Sequence, residues 1–257
     1  MTLTYVFSGF AVGTLVGLTG VGGGSLMTPL LTLLFGVSPT VAVGTDLAFA
    51  SITKAAGTFT HRLRGTVEWH VVRLLCYGAL PAAIVATLFL KHFGTLDKEI
   101  GQLIRYSIAV SVLLTVVALL FKGKMLNWLN NHPEKQLQGT KLAVATIIAG
   151  AVLGTLVTVS SIGAGAIGAT LLVMLYPRMS AAHIAGTDIA YAVPLTAIAA
   201  FGHWWLGSID WQLLGSLLIG SLPGITLGSM AARAVPEKFL RGLLATTLTL
   251  VAAKLVF

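Results

Sequence analysis

An apolar stretch of about 35 residues near the N-terminus is interrupted at its middle by three consecutive glycines, Gly22, Gly23 and Gly24. Two full bilayer crossings need about 20 residues each plus a turn. The stretch therefore reads as two short helices meeting at a non-helical break, because three adjacent glycines remove helix propensity that packing alone would not require. A weaker echo runs from Gly150 to Thr170, with Ser160, Ser161, Gly163 and Gly165 at its centre. Irregular backbone at membrane depth persists only where protein buries it or where it lines a cavity. A helix that restarts there aims its free N–H groups at that cavity, and such an end attracts anions. The alternative is that the glycines only let helices pack closely, and Gly13 and Gly17 fit that alternative well.

Charged residues are 9% and apolar residues 56% of the 257-residue chain, and the mean hydropathy is +0.92. A soluble domain carries roughly a quarter charged residues. The chain is expected to be an all-α integral membrane protein, since its apolar runs are continuous where an outer-membrane barrel would alternate. Apolar segments fall at about 3–19, 22–35, 41–60, 71–90 and 103–121, then at about 141–159, 162–176, 181–202, 213–232 and 240–257. The one long polar stretch, 122–140, divides them into a first repeat (1–121), a cytoplasmic linker and a second repeat (141–257). The opening residues lack a basic n-region and a cleavage site, so they read as a retained segment. The lone Cys76 excludes an internal disulfide and a cysteine-based metal site, and reads as a buried thiol. No cofactor or metal is expected.

The halves echo each other at an offset of 142 residues. Gly44-Thr45-Asp46 returns as Gly186-Thr187-Asp188, His61 as His203, and GTVEW at Gly65–Trp69 as GSIDW at Gly207–Trp211. Gly78 and Pro81 return as Gly220 and Pro223, while the glycine breaks align one residue off this register. A half with one broken pair and three long segments crosses an odd number of times. The second half is therefore expected upside down, as inverted repeats with broken or re-entrant helix pairs. The charge of +8 sits in short loops and reports topology and anionic headgroups, not nucleic acid. Arg62, Arg64 and Arg73 follow the third segment, whereas 203–212 holds no Lys or Arg. That bias puts both termini outside, with the 91–105 loop and its Lys91, Lys98 and Arg105 as the exception.

With the two breaks, the paired GTD motifs and the GTVEW/GSIDW echo, the chain resembles the TauE/SafE family of sulfite exporters along essentially its whole length. GVGGGSLMTPLL at Gly20–Leu31 and VGTDLA at Val43–Ala48 look like that family's motifs. The second repeat departs from the pattern, with Gly163-Ala164-Gly165 for the glycine triplet and Thr170 for the proline. The resemblance implies a two-repeat permease of the bacterial inner membrane that moves sulfite, sulfonates or related sulfur-containing anions.

Asp46, Lys54 and Asp188 are charges inside spans, where each costs about 2.5–3.5 kcal/mol on insertion scales. The aspartates read either as first-turn residues stabilised by the helix dipole, with Thr45 and Thr187 as caps, or as coupling groups for a proton or sodium ion. Lys54 has Thr196 as its counterpart, so the repeat does not require the charge. It reads as an attractor for an anion or as a lysine that snorkels or pairs. His61 and His203 read as helix-end residues or, less simply, as gating or relay groups. Trp69, Trp204, Trp205 and Trp211 read as an aromatic belt. The expected substrate site joins Gly22, Gly23, Gly24, Ser25, Lys54, Ser160, Ser161, Gly163 and Gly165. The leading expectation is an alternating-access exporter, with an uncoupled anion channel of the same architecture as the alternative. An intramembrane Ser–His enzyme is a third class, disfavoured because no GxSxG or HExxH motif is present.

Overall fold

A computed structural model of the chain describes residues 2–19, 24–93, 98–132, 134, 136–231, 242 and 246. Among these residues there are nine α-helices and no strand. They are α1 (Thr2–Thr19), α2 (Gly24–Leu34), α3 (Pro39–Leu63), α4 (Trp69–Phe93), α5 (Lys98–Asn130), α6 (Gly139–Ser160), α7 (Ala166–Leu175), α8 (Ala181–Trp205) and α9 (Trp211–Ala231). The segment expected at 240–257 lies outside the described residues, apart from isolated positions. Among the described residues five stretches are long and apolar enough to cross a membrane: Trp69–Phe93, Gly101–Leu129, Gly139–Ser160, Ala181–Trp205 and Trp211–Gly228. At 1.5 Å per residue the 25-residue α4 and α8 rise about 37 Å, more than a hydrocarbon core.

Two expectations change. The polar stretch from Lys122 does not begin a loop, because α5 continues to Asn130. Leu126 packs against the core, and Met125, Trp128 and Leu129 line one side beside Met174, so an amphipathic extension carries the helix onward. Cys76 is half-buried, not buried, on α4.

The second broken pair joins a long helix, α6, to a short one, α7. α7 has ten residues, about 15 Å of rise, which is half a bilayer. It turns back beside α6, where Thr146 and Tyr176 share a hydroxyl hydrogen bond of 2.8 Å. The turn between them needs backbone that L side chains avoid: Gly163 and Gly165 have φ of +133° and +134°. At the first break, Gly22 and Gly23 lie outside the described residues. Gly24 and Ser25 begin α2.

Packing links the halves reciprocally. Gly9 and Gly13 of α1 lie against the backbone of Leu217 and Ser221 of α9, and Gly150 and Gly154 of α6 lie against Leu75 and Ala79 of α4. Gly220 returns the first contact onto Val6, and Gly78 the second onto Ile147. A Cβ at any of these positions would strike backbone, so the small residues set how near the helices approach. α3 and α8 run antiparallel. The start of α3 at Gly44 touches Ser208 beyond the end of α8, and the start of α8 at Gly186 touches Thr66 beyond the end of α3. The two ends close identically. Thr66 N–H donates to His61 O at 3.1 Å and Gly65 N–H to Arg62 O at 3.1 Å; Ser208 N–H donates to His203 O and Gly207 N–H to Trp204 O, both at 2.9 Å. These are Schellman ends, with the C′ glycines at φ +65° and +69°.

Candidate functional site

The antiparallel α3 and α8 carry the two aspartates to the middle of the bundle. Asp46 and Asp188 are each the eighth residue of their helix, two turns in, and both are buried. They are therefore not first-turn residues resting on a dipole. Nor do Thr45 and Thr187 cap their own helices, since the N-cap of α8 is Ser180, which accepts from His183 N–H. Each threonine reaches across instead. Thr187 Oγ1 accepts from Glu68 N–H at 3.0 Å, and Thr45 Oγ1 accepts from Asp210 N–H at 3.1 Å. Glu68 and Asp210 precede α4 and α9, so each threonine holds the start of a helix in the opposite half.

The surroundings of the two carboxylates differ. Asp46 Oδ2 accepts from Thr28 on α2 at 2.6 Å. Its Oδ1 has no partner among the described residues, although Ser161 faces the same carboxyl with its own hydroxyl unpartnered. Asp188 lies against the N-terminal turn of α7, where the Gly165 N–H faces it and Gly168 leaves no room for a Cβ. Its Oδ1 is likewise unpartnered.

Lys54 lies between them. It is 7% exposed, and its ammonium donates to the Ala164 carbonyl at 3.0 Å, within Coulombic reach of both aspartates. A lysine in that position does not snorkel to an interface. Ala164 O is free to accept because the backbone at the break leaves the α-helical hydrogen-bond pattern. Lys54 thus ties the first half to the break of the second.

Tyr191, not singled out from the sequence, completes the cluster. It is fully buried, one turn after Asp188 on α8, and its hydroxyl has no partner among the described residues. A Cβ at Gly168 would touch both that hydroxyl and Asp188 Oδ1, so the two polar atoms converge on one spot. The only hint in the sequence is that Phe49 occupies the equivalent place in the first half.

Other expected residues sit apart. Ser160 Oγ is engaged with Leu156 O at 2.7 Å and Ser111 Oγ at 3.0 Å, tying α6 to α5. His61 Nδ1 pairs with Thr66 Oγ1 at 2.8 Å at the end of α3. His203 is buried, with Nε2 against Thr158 O at 2.9 Å and Nδ1 without a partner among the described residues. Neither histidine pairs with Ser160 or Ser161. Trp69, Trp204, Trp205 and Trp211 are exposed at helix ends, and Lys91 stacks over Trp205 with 3.1 Å from ammonium to ring centroid.

The arrangement defines a class: a polytopic α-helical membrane protein with buried charges meeting at a broken helix. The sulfite exporter TauE/SafE family model matches residues 5–255, and the chain belongs to that family of membrane transporters. It is similar to the probable membrane transporter protein YjnA of Bacillus subtilis (strain 168), 33% identical across 100% of both chains. It is also similar to the probable membrane transporter protein YdhB of the same organism, 27% identical over 96% of this chain and 97% of that one. A probable membrane transporter protein of Xylella fastidiosa (strain Temecula1 / ATCC 700964) is 27% identical over 88% of this chain and 82% of its own. No solved structure gives a significant match.

Proposed function

We propose that this protein is a secondary transporter that exports sulfite, organosulfonates or related small sulfur-containing anions by alternating access about a midplane site. The carrying observation is the buried lysine beside the second break, flanked by a carboxylate from each half. Lys54, Ser161, Tyr191 and the N-terminal turn of α7 supply the positive and donor side of an anion site. Asp46 and Asp188 serve as coupling groups for a proton or sodium ion. The engaged geometry of Ser160 favours transport over serine chemistry.

The halves are read as inverted repeats. The support is that equivalent helices, α3 and α8, pack antiparallel and exchange the same contacts at both ends. An in-plane two-fold relation does this when the helices span the bilayer. The face carrying Arg62, Arg64, Lys141 and Arg178 is assigned to the cytoplasm of a bacterial inner membrane, leaving the N-terminus outside. A cleft of about 650 Å³ opens on that face, lined by Glu68, Tyr176, Arg178 and His183.

Proteoliposomes loaded with sulfite test the reading. Saturable efflux that responds to an imposed pH or sodium gradient supports it. Efflux that rises linearly with concentration and ignores both gradients identifies an uncoupled channel, and no flux of any sulfur anion removes the assignment.

A further inference from the structure

Four polar atoms in the buried cluster lack hydrogen-bond partners among the described residues: Asp46 Oδ1, Asp188 Oδ1, Ser161 Oγ and Tyr191 Oη. Buried polar groups are satisfied in more than nine cases in ten, so several together call for an occupant. They are of two kinds. Hydroxyls donate or accept, whereas an ionised carboxylate only accepts.

An anion whose atoms only accept meets Lys54, Ser161 and Tyr191 well but faces the two carboxylate oxygens with like charge and nothing to donate. A carboxylate left without a donor in a buried site costs more than a neutral group would. An occupant that meets both the hydroxyls and an unpartnered carboxylate oxygen carries an anionic end and a hydrogen-bond donor together. We propose that the site selects small monoanions bearing their own O–H or N–H donor, which is given to Asp188 Oδ1, over aprotic anions of the same size and charge. Asp188 is favoured over Asp46 as the acceptor. Thr28 already donates to Asp46, whereas Asp188 Oδ1 and the Tyr191 hydroxyl converge on Gly168 with no side chain between them. The anionic end then lies toward Lys54 and Ser161.

This inference rests on the anion-site reading of the preceding subsection, and the test separates the two. Sulfamate and methanesulfonate match in size and charge, but only sulfamate has N–H donors. 2-Hydroxyethanesulfonate and 1-propanesulfonate form a longer pair of the same design. Binding of all four to the purified full-length protein is measured by calorimetry and by ligand-dependent thermal stabilisation. Sulfamate and 2-hydroxyethanesulfonate are expected to bind at least about tenfold more tightly than their aprotic partners, as a hydrogen bond to a charged group implies. In Asp188→Ala, which removes the acceptor without adding volume, the preference disappears while residual sulfonate binding reports that the protein is folded. The wild-type comparison decides even where that variant does not fold. Equal affinity within each pair overturns the inference and leaves the anion site standing, with a proton or a resident water on Asp188. No binding of any of the four, nor of sulfite, overturns both.

Discussion

The Lys54 ammonium of α3 lies 3.0 Å from the carbonyl oxygen of Ala164, in the turn between α6 and α7. A flexible cation from one half is thereby fixed on the irregular backbone of the other. The hydrogen bond orients the charge, and an aspartate from each half lies within Coulombic reach of it.

Removing that charge is the most direct functional test. Lys54→Ala is expected to lower sulfite flux in proteoliposomes by at least tenfold. Lys54→Arg is expected to recover little, since a planar guanidinium does not fit a site built around one carbonyl. Wild-type flux in Lys54→Ala would exclude Lys54 from the substrate path.

The crossed threonines give a stability prediction. Thr187→Val leaves the Glu68 N–H without its acceptor, and Thr45→Val does the same to Asp210. Each is expected to cost about 1 kcal/mol in reversible unfolding in detergent. The double variant is expected to cost the sum, because the two bonds sit at opposite ends of α3 and α8 and share no partner. Unequal or strongly non-additive costs would contradict the reciprocity of the two ends.

Glycines of the two kinds are expected to diverge. Gly78→Ala and Gly220→Ala put a methyl group into the backbone of Ile147 and Val6, and overpacking of this sort costs about 1–3 kcal/mol. Gly101→Ala, where a Cβ meets nothing within 4 Å, is expected to be neutral or stabilising by up to about 1 kcal/mol. Thermal melts of the three variants check the ordering.

Tyr191→Phe separates stability from binding. It deletes an unpartnered buried hydroxyl and leaves the ring, as Phe49 already does in the other half. The protein is expected to lose no stability and to gain up to about 1–2 kcal/mol. Sulfonate affinity is expected to fall several-fold. A variant that binds sulfonates like wild type would place the hydroxyl outside the site.

The contact between the Glu68 carboxylate and the His183 ring is 3.8 Å long and half-exposed at both ends. Glu68→Gln is accordingly expected to change stability by less than about 1 kcal/mol. A larger loss in the same melts would show that the contact is not screened by solvent.

The amino-acid order by itself determined the class and most of the elements. Apolar runs must become helices in lipid, because every backbone polar group there needs a partner within its own segment. The GTD, GTVEW and GSIDW matches fixed the register of the halves, and Gly163 and Gly165 marked where a helix had to stop. Residue spacing also raised Lys54, Asp46 and Asp188, because buried charge is costly enough to be informative alone. What a side chain meets across a helix interface follows from packing, and only the tertiary structure decided it. Thr45 and Thr187 looked like local caps because helix-start chemistry is local, yet two preceding turns of helix turn them outward to the opposite half. The amphipathic run Lys122–Asn130 looked like a loop because its charge outweighs its helical period. Tyr191 gave almost no signal, since a tyrosine in an apolar run is ordinary until its hydroxyl is found buried without a partner beside an aspartate 142 residues away from its twin.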